Sequence, residues 1–406
     1  MTANERFNVG GVLLDRPFKI RRLGHFGFNL TAMDEGVRFY VDLLGFRVSD
    51  KIDYAARASD PRALEGLGDP HGYFTRYGTD HHALVLFNKR VREALGRREK
   101  PGVTVNQITW QVGSLREVRN AIEWFTAREI KIQRSGRDMP GSNWHTYLLD
   151  PDGHQNELYY GIEQIGWNGF SKPKAMYDRG FDQAPPLPQI SEQQEVDAAL
   201  ERNVDLLSGY RHTDGLRATY DVDGILLPRP FKIVRLGPVS LFVEDLDRAE
   251  AFYRDTLGFI LTEETIYQGH RCLFLRCNTE HHALALFPLR LRDVLGLSAH
   301  SKCAALGLQL ATYRQLRDAI GFLRSRGVEI TEALPPELHP GIEYAAHARD
   351  PDGHWIQLYF AMEQIGWDGK PRPKEARKPR PLKEWPEALE AHSDAYLGEP
   401  FPGPWG

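Results

Sequence analysis

Asp150-Pro151-Asp152-Gly153-His154-Gln155-Asn156-Glu157-Leu158-Tyr159-Tyr160 reads as a tight turn feeding a strand. Proline and glycine fix the turn. Strand alternation then turns Asn156, Leu158 and Tyr160 one way and Gln155, Glu157 and Tyr159 the other. Glu157 therefore lies among large apolar side chains, where a carboxylate is costly unless it is paired or bound to a metal. The stretch returns as Asp350-Pro351-Asp352-Gly353-His354-Trp355-Ile356-Gln357-Leu358-Tyr359-Phe360, with Gln357 in place of the carboxylate. That one difference predicts two copies of one scaffold, of which only the first is built to hold a metal.

Working outward, the repeat is nearly complete. Leu23-Gly24-His25-Phe26 is answered by Leu236-Gly237-Pro238-Val239, and Asp80-His81-His82-Ala83-Leu84 by Glu280-His281-His282-Ala283-Leu284. Phe39-Tyr40 and Leu44-Gly45-Phe46 recur as Phe252-Tyr253 and Leu257-Gly258-Phe259. Within each copy the pattern strand, helix, strand, strand, strand occurs twice. In the first copy the helices are Asp34 to Leu44 and Leu115 to Arg128, the second carrying Val118, Ile122 and Phe125 on one face. A repeat of this extent points to duplication. The expected divisions are an N-terminal arm (1–20), a first domain with the metal site (21–170) and a linker with a helix (171–222). A second domain without metal (223–369) and a tail (370–406) follow. In the linker, Val196, Leu200, Val204 and Leu207 predict a helix from Ser191 to Leu207.

A chain of 406 residues is too long for one core and suits two domains. Lys and Arg number 51 against 55 Asp and Glu, a formal net charge of -4, so no basic field attracts nucleic acid. No stretch has the length needed to span a bilayer. Cys272, Cys277 and Cys303 form no paired metal motif, and an odd count without a secretory signal fits a reducing compartment, so a cytoplasmic location is expected.

Matching the first strand of each of the four units aligns His25, Gln107, Pro238 and Ala305. The matching last-strand residues are Glu157 and Gln357. The first domain thus offers His25, Gln107 and Glu157 as metal ligands, whereas the second offers only Gln357. Imidazole and carboxylate groups on one face suit iron(II), manganese(II) and similar ions, and leave positions open for substrate and O₂. Taken singly, His25 also reads as a core histidine and Glu157 as an ion-paired strand residue. Their joint placement, with both lost together in the second copy, favours the metal.

These residues carry a resemblance to the vicinal oxygen chelate superfamily, which includes glyoxalases, bleomycin resistance proteins and dioxygenases. Within it the chain is most similar to the type I extradiol ring-cleaving dioxygenases, over roughly residues 20–165 and 234–365. The carrying features are Leu23-Gly24-His25-Phe26, Asp80-His81-His82-Ala83-Leu84, and Gly136-Arg137-Asp138-Met139 through Tyr147 to Glu157. The resemblance implies an α+β fold of four βαβββ modules paired into two homologous domains, each a curled mixed sheet around a cavity. It places the family's first histidine ligand on His25 and its carboxylate ligand on Glu157. Its second histidine ligand falls on Gln107, which departs from the pattern. The histidine near bound O₂ falls on His82 and the tyrosine that hydrogen-bonds substrate on Tyr147. A further acid–base histidine falls near Asp138, a second departure, for which His145 could substitute if its strand is regular. A third departure is that the ligand-like residues lie in the N-terminal domain rather than the C-terminal one.

The activity so implied is Fe(II)-dependent cleavage of a catechol-like aromatic ring with insertion of O₂. The partners would be a small aromatic substrate and O₂, in a homo-oligomer. Two other readings stay open: a metal-dependent isomerase, epimerase or lyase, for which Gln107 is no obstacle, and a non-catalytic small-molecule binder. Trp110, Trp144, Phe28 and Tyr160 are candidate pocket walls, with ordinary core packing the plainer reading of each.

Overall fold

The computed structural model describes residues 5–137, 140–141, 143–176, 187–188, 190–366 and 368–389. The Asp-Pro-Asp-Gly-His turns are held by their own first residue. Asp150 accepts from the backbone of Gly153 through its carbonyl (3.0 Å) and from His154 N through its carboxylate (2.8 Å), while its other oxygen meets His154 Nδ1 at 3.0 Å. Gly153 takes φ 95°, a conformation that favours glycine. Asp350, Gly353 (φ 92°) and His354 repeat the arrangement. The motif is thus a self-capped turn that launches the strand bearing residue 157 or 357.

The chain divides into two compact units. Residues 1–34, 46–99 and 105–213 form one, and residues 35–45, 100–104 and 214–406 the other. The first opens with a hairpin of β1 (Phe7–Val9) and β2 (Val12–Leu14). Its sheet contains β3 (Ile20–Leu30), β4 (Arg47–Asp53), β5 (His71–Arg76) and β6 (Leu84–Asn88). The remaining strands are β7 (Val105–Val112), β8 (Ile132–Arg137), β9 (Trp144–Leu149) and β10 (Gln155–Tyr160). The helix following β3 starts as α1 (Met33–Val37) and continues in wider, π-type turns over Arg38–Leu43. Short α2 (Lys89–Ala94) follows β6, and α3 (Leu115–Ala127) lies between β7 and β8. Ser114 caps α3 by accepting from Glu117 N at 3.2 Å, and Leu115, Val118, Ala121 and Phe125 bury its apolar face. The linker helix α4 (Glu192–Glu201) is shorter than its apolar spacing predicts. Asn203 adopts φ 56° and Val204 N closes on Ala199 O at 3.0 Å, which ends the helix before Leu207.

The second unit repeats this plan, with a hairpin β11 (Tyr220–Val222) and β12 (Ile225–Leu227). Its sheet contains β13 (Ile233–Val243), β14 (Ile260–Tyr267), β15 (His270–Arg276), β16 (Leu284–Pro288) and β17 (Cys303–Leu310). It is completed by β18 (Ile330–Thr331), β19 (Ala345–Arg349) and β20 (Trp355–Tyr359). The helices are α5 (Leu246–Ala251), α6 (Leu289–Val294) and α7 (Tyr313–Ser325). Tyr40, from the segment that belongs to this unit, donates to Asp350 Oδ2 at 2.9 Å and so ties that helix to the second turn motif.

The sheets are mixed and eight-stranded, ordered β4-β5-β6-β3-β7-β10-β9-β8 and β14-β15-β16-β13-β17-β20-β19-β18. The two βαβββ modules of each unit thus meet at the central pairs β3–β7 and β13–β17. The expectation of a curled sheet around a cavity is not met. Closure requires the end strands to exchange hydrogen bonds, but β4 and β8 stand at opposite edges, as do β14 and β18. β18 has only 2 residues, which pair with Ala348 and His347 of β19 and leave a short edge. Among the described residues no sheet is closed, and no helix is long and apolar enough to cross a membrane.

Candidate functional site

Glu157 is the centre of the first unit's site. It is 0% exposed, in the interior of β10. β7 runs parallel to β10 with Thr109 opposite Glu157, and β9 runs antiparallel with Tyr147 opposite it. β3 places His25 opposite Thr109 and Gly27 opposite Gln107. These registers bring His25, Gln107, Thr109, Tyr147 and Glu157 to one face of the sheet. His145 joins them, because β9 pairs with β10 without a register shift. Trp110, Trp144, Phe28 and Tyr160 fall on the opposite face. There Trp110 Nε1 donates to Asn156 Oδ1 at 2.8 Å; Trp110, Trp144 and Phe28 are buried core and Tyr160 is half-buried at the strand end, so none of them walls the Glu157 side.

Donors surround the carboxylate. Oε2 lies 3.1 Å from His25 Nε2, accepts from Thr109 Oγ1 at 2.9 Å and from Gln107 Nε2 at 3.3 Å. Oε1 accepts from Asn143 Nδ2 at 2.7 Å, and His145 Nδ1 stands 3.8 Å away. Burial acts to raise the carboxyl, but His25, then His145 and Thr109, more than offset it and hold it at about 2. A fully buried carboxylate is therefore ionised at neutral pH.

His82 packs against His25 with ring centroids 4.3 Å apart, and against Phe74 at 5.2 Å. Burial, with His25 and His81 nearby, pushes its pKa well below the usual imidazole value. Behind it His81 meets His82, Nδ1 to Nδ1, at 3.1 Å and Asp50 Oδ2 at 3.1 Å through Nε2. Tyr147 is buried beneath the Arg134 guanidinium (4.7 Å), and its ring centroid lies 4.7 Å from that of His145. Asp138 lies outside the described residues.

The donor set can be tested against a metal. About 3 Å is the separation expected between two adjacent ligands of an octahedral ion with bonds near ~2.1 Å, and the His25 to Glu157 distance is 3.1 Å. Gln107 turns its nitrogen toward the carboxylate, so its oxygen would ligate after a half-turn of the amide. Among the described residues no group of three His, Cys, Asp or Glu side chains gathers as a metal site. An ion here would thus rest on His25 and Glu157 with the Gln107 amide as third ligand. The set fits a hard divalent ion, held less tightly than it would be with an imidazole in place of the Gln107 amide.

Thr109, Asn143 and the Asp50–His81 pair escaped sequence reasoning. Thr109 was signalled, standing two residues after Gln107 on the same strand face. Asn143 sits in the loop before β9, and Asp50 is 31 residues from its partner, so neither carried a signal.

The second unit's registers put Pro238, Ala305 and Gln357 where the first has His25, Gln107 and Glu157. Its counterpart of Asp50 is Glu263. Burial acts to raise this carboxyl, but hydrogen bonds from His281 and Arg377 bring it to about 2 from an ordinary 4.5. Because the folded value is depressed, its stabilising effect is complete above pH 4.5 and is lost as pH falls from 4.5 toward 2. Urea midpoints of wild type and Glu263→Gln should differ most at about pH 6 and converge only near about pH 2, as the folded-state carboxyl takes up its proton.

The profile of the Glyoxalase/Bleomycin resistance protein/Dioxygenase superfamily matches residues 22–158 and 235–358, more than half of the chain and both copies of the repeat. The chain belongs to this superfamily. Among curated members, it is 25% identical over 134 residues to 2,2',3-trihydroxybiphenyl dioxygenase of Sphingomonas paucimobilis, a match covering 33% of this chain and 44% of that protein. It is 27% identical over 169 residues to metapyrocatechase 2 of Cupriavidus necator, covering 40% and 45%. The chain thus spans under half of the length of either curated relative. Among solved structures of the superfamily's fold, it superposes on a 2,3-dioxygenase of Pseudomonas sp. KL28 with TM-score 0.56 at 14% identity, over 87% of this chain and 96% of that one. Homoprotocatechuate 2,3-dioxygenase of Arthrobacter globiformis gives 0.53 at 17%, over 88% and 85%. A Mn(II)-bound glyoxalase of Novosphingobium aromaticivorans gives 0.52 at 14%, over 86% and 85%. At these identities the likeness is one of fold.

Proposed function

We propose that the protein is an Fe(II)-dependent extradiol-type dioxygenase that opens a catechol-like ring with O₂, and that its working site lies in the first unit. The observation that carries this reading is Glu157, ionised and fully buried, with His25 Nε2 at 3.1 Å and Gln107 at 3.3 Å. The dioxygenases among the relatives and fold neighbours support the reaction class. The Mn(II)-bound neighbour supports a divalent ion in general. His25, Gln107 and Glu157 would hold the ion. Bound there, it would supply Lewis acidity and a template that brings the substrate oxygens and O₂ together.

The remaining steps belong to the chain's own groups. Glu157 offsets positive charge, and Thr109 and Asn143 orient its two oxygens. His82, kept neutral by burial, takes and returns a proton at its ring nitrogen beside His25. His81 and Asp50 steady that ring from behind. Tyr147 hydrogen-bonds the substrate oxygen, and His145, on the same strand face, takes the acid–base place that Asp138 does not fill. A cytoplasmic location is part of the proposal, and it accords with Cys272, Cys277 and Cys303 being buried and outside any disulfide. A homo-oligomer completes the proposal.

Gln107 favours a second reading, a non-oxidative isomerase, epimerase or lyase, because a neutral amide ligand suits a hard ion that need not activate O₂. Elemental analysis of protein purified without added metal, with His25→Ala alongside, separates the two. Near one iron per chain, lost in the variant, together with O₂ uptake on catechols, supports the dioxygenase. Another divalent ion without O₂ uptake supports the second reading, and no metal after reconstitution overturns both. Gln107→His should tighten iron by roughly tenfold, since imidazole is the stronger ligand. Weaker binding in a metal-competition titration would mean that residue 107 does not face the ion.

A further inference from the structure

The linker helix α4 meets the first unit with little apolar burial. Among its described residues only Ala199 is buried, and Leu200 is 54% exposed. Its hold on the unit is ionic. Glu195 Oε1 accepts from Arg137 Nη2 at 2.6 Å, and Oε2 accepts from Lys172 Nζ at 2.8 Å. The Arg137, Glu195 and Lys172 side chains are 7%, 11% and 18% exposed, so water and salt screen them weakly. Burial acts to raise the Glu195 carboxyl, but hydrogen bonds from Lys172 and Arg137 more than offset it and hold it below the ordinary value. An ionised carboxylate on α4 therefore bridges cations from two separate segments.

Both segments lead to the site. Arg137 ends β8 and stands opposite Trp144, the first residue of β9, with its guanidinium 5.0 Å from the Trp144 ring. The residue before Trp144 is Asn143, which donates to Glu157 Oε1 at 2.7 Å. Lys172 reaches the same β8–β9 connection by another route. Its backbone donates to Glu163 Oε1 at 2.5 Å, and Glu163 N donates to Gly141 O at 2.8 Å. Gly141, at φ 95°, lies so close to His82 that a Cβ there would stand 2.8 Å from the ring's Cε1. One carboxylate thus gathers the segments that place Asn143 against Glu157 and Gly141 against His82.

The second unit, which lacks the ligands, also lacks this bridge. Arg372 stands at the place of Lys172, but its guanidinium goes to Glu343 and Glu363, and no α-helix follows it among the described residues. Within α4 the bridge is specific to Glu195. Glu192 also meets Lys172, at 3.3 Å, but is 70% exposed, and such a pair contributes little.

We propose that Glu195 is a positioning residue for the first unit's site: from the linker helix it fixes the β8–β9 connection, and through Asn143 it fixes the Glu157 carboxylate. The proposal rests on the reading of Glu157 as a metal ligand. The test uses the full chain, with backbone hydrogen exchange read by mass spectrometry on chelator-stripped protein and Mn(II) affinity read by competition titration. Glu195→Gln should speed exchange over residues 141–149 by at least roughly tenfold, the scale of one lost hydrogen bond to a charged group, and leave β4 to β6 unchanged. Asn143→Ala should weaken Mn(II) binding by about tenfold or more, as loss of a ligand's hydrogen-bond partner does, and Glu195→Gln should weaken it by about fivefold. In the Asn143→Ala background Glu195→Gln should change the affinity by less than about twofold, because it acts through that bond. Glu192→Gln should match wild type in both readings. Circular dichroism checks folding, and Lys172→Gln, which removes the other arm of the bridge, takes the place of Glu195→Gln if that variant does not fold. Unchanged exchange over 141–149 overturns the proposal. An equal loss of Mn(II) affinity with and without Asn143 overturns it as well, since α4 would then stabilise the unit without acting on the carboxylate. A Glu192→Gln variant as impaired as Glu195→Gln overturns it by tracing the effect to the charge of the helix at large. If wild type takes up no Mn(II), the metal reading fails by itself, and the exchange measurement decides whether Glu195 holds the connection.

Discussion

Glu157→Gln should strip the protein of its divalent metal and lower O₂ uptake on a catechol by at least ~100-fold. Removing an outer-shell partner of a metal site already costs about 10–100-fold, and this substitution removes a ligand together with its charge. The carboxylate is 0% exposed and held at about 2, so the wild-type site carries a full negative charge at neutral pH. Glutamine keeps the shape but places an NH₂ among groups that already donate. Asn143 Nδ2 at 2.7 Å and Thr109 Oγ1 at 2.9 Å would each need an acceptor, and only one oxygen remains. That mismatch should also lower stability by about 1–3 kcal/mol, visible as a reduced urea midpoint without change in slope. Elemental analysis provides the decisive reading, since a variant that keeps wild-type metal content would refute the ligand assignment. The second copy has already made this exchange at Gln357, so Gln357→Leu should leave metal content unchanged.

The duplicated modules were legible because strand alternation and turn residues are local signals, and the repeat displays each of them twice. The convergence of His25, Gln107 and Glu157 was legible for the same reason, since equivalent positions in equivalent strands share a face once the strands pair. The position of Trp110 followed from the same alternation: it neighbours Thr109 and must face away from Glu157. What stayed hidden depends on contacts distant in sequence. Asn143 reaches Glu157 from a loop, and Asp50 reaches His81 from β4, with no periodicity to mark either. The open sheet was hidden too. Val328-Glu329-Ile330-Thr331 has strand composition, yet only Ile330–Thr331 pair, and a short edge cannot close a barrel. The end of α4 at Glu201 turns on the backbone conformation of Asn203, although the apolar spacing runs on to Leu207.

Gly307→Ala should destabilise the second unit by about 3 kcal/mol, the upper end of overpacking costs. A Cβ at this position would stand 2.4 Å from Gly237 O and 2.5 Å from Pro238 Cδ. These atoms belong to the backbone and ring of β13, in the strand pair that joins the two modules, so no side-chain rotation relieves the contact. The strands would have to separate, and Tyr359 Oη, which donates to the same Gly237 O at 2.8 Å, would lose its acceptor. The first unit has Thr109 at the corresponding place, with His25 opposite it and its hydroxyl on Glu157. The close approach of β13 to β17 therefore excludes the threonine as well as the ligand. Placing His at 238 and Glu at 357 would supply two ligand types without the room or the orienting hydroxyl of the first site. Thermal or urea unfolding of Gly307→Ala checks the argument, and a variant as stable as wild type would mean that β13 and β17 can move apart at little cost. The same variant should keep wild-type metal content per folded chain, because the groups around Glu157 all belong to the other unit.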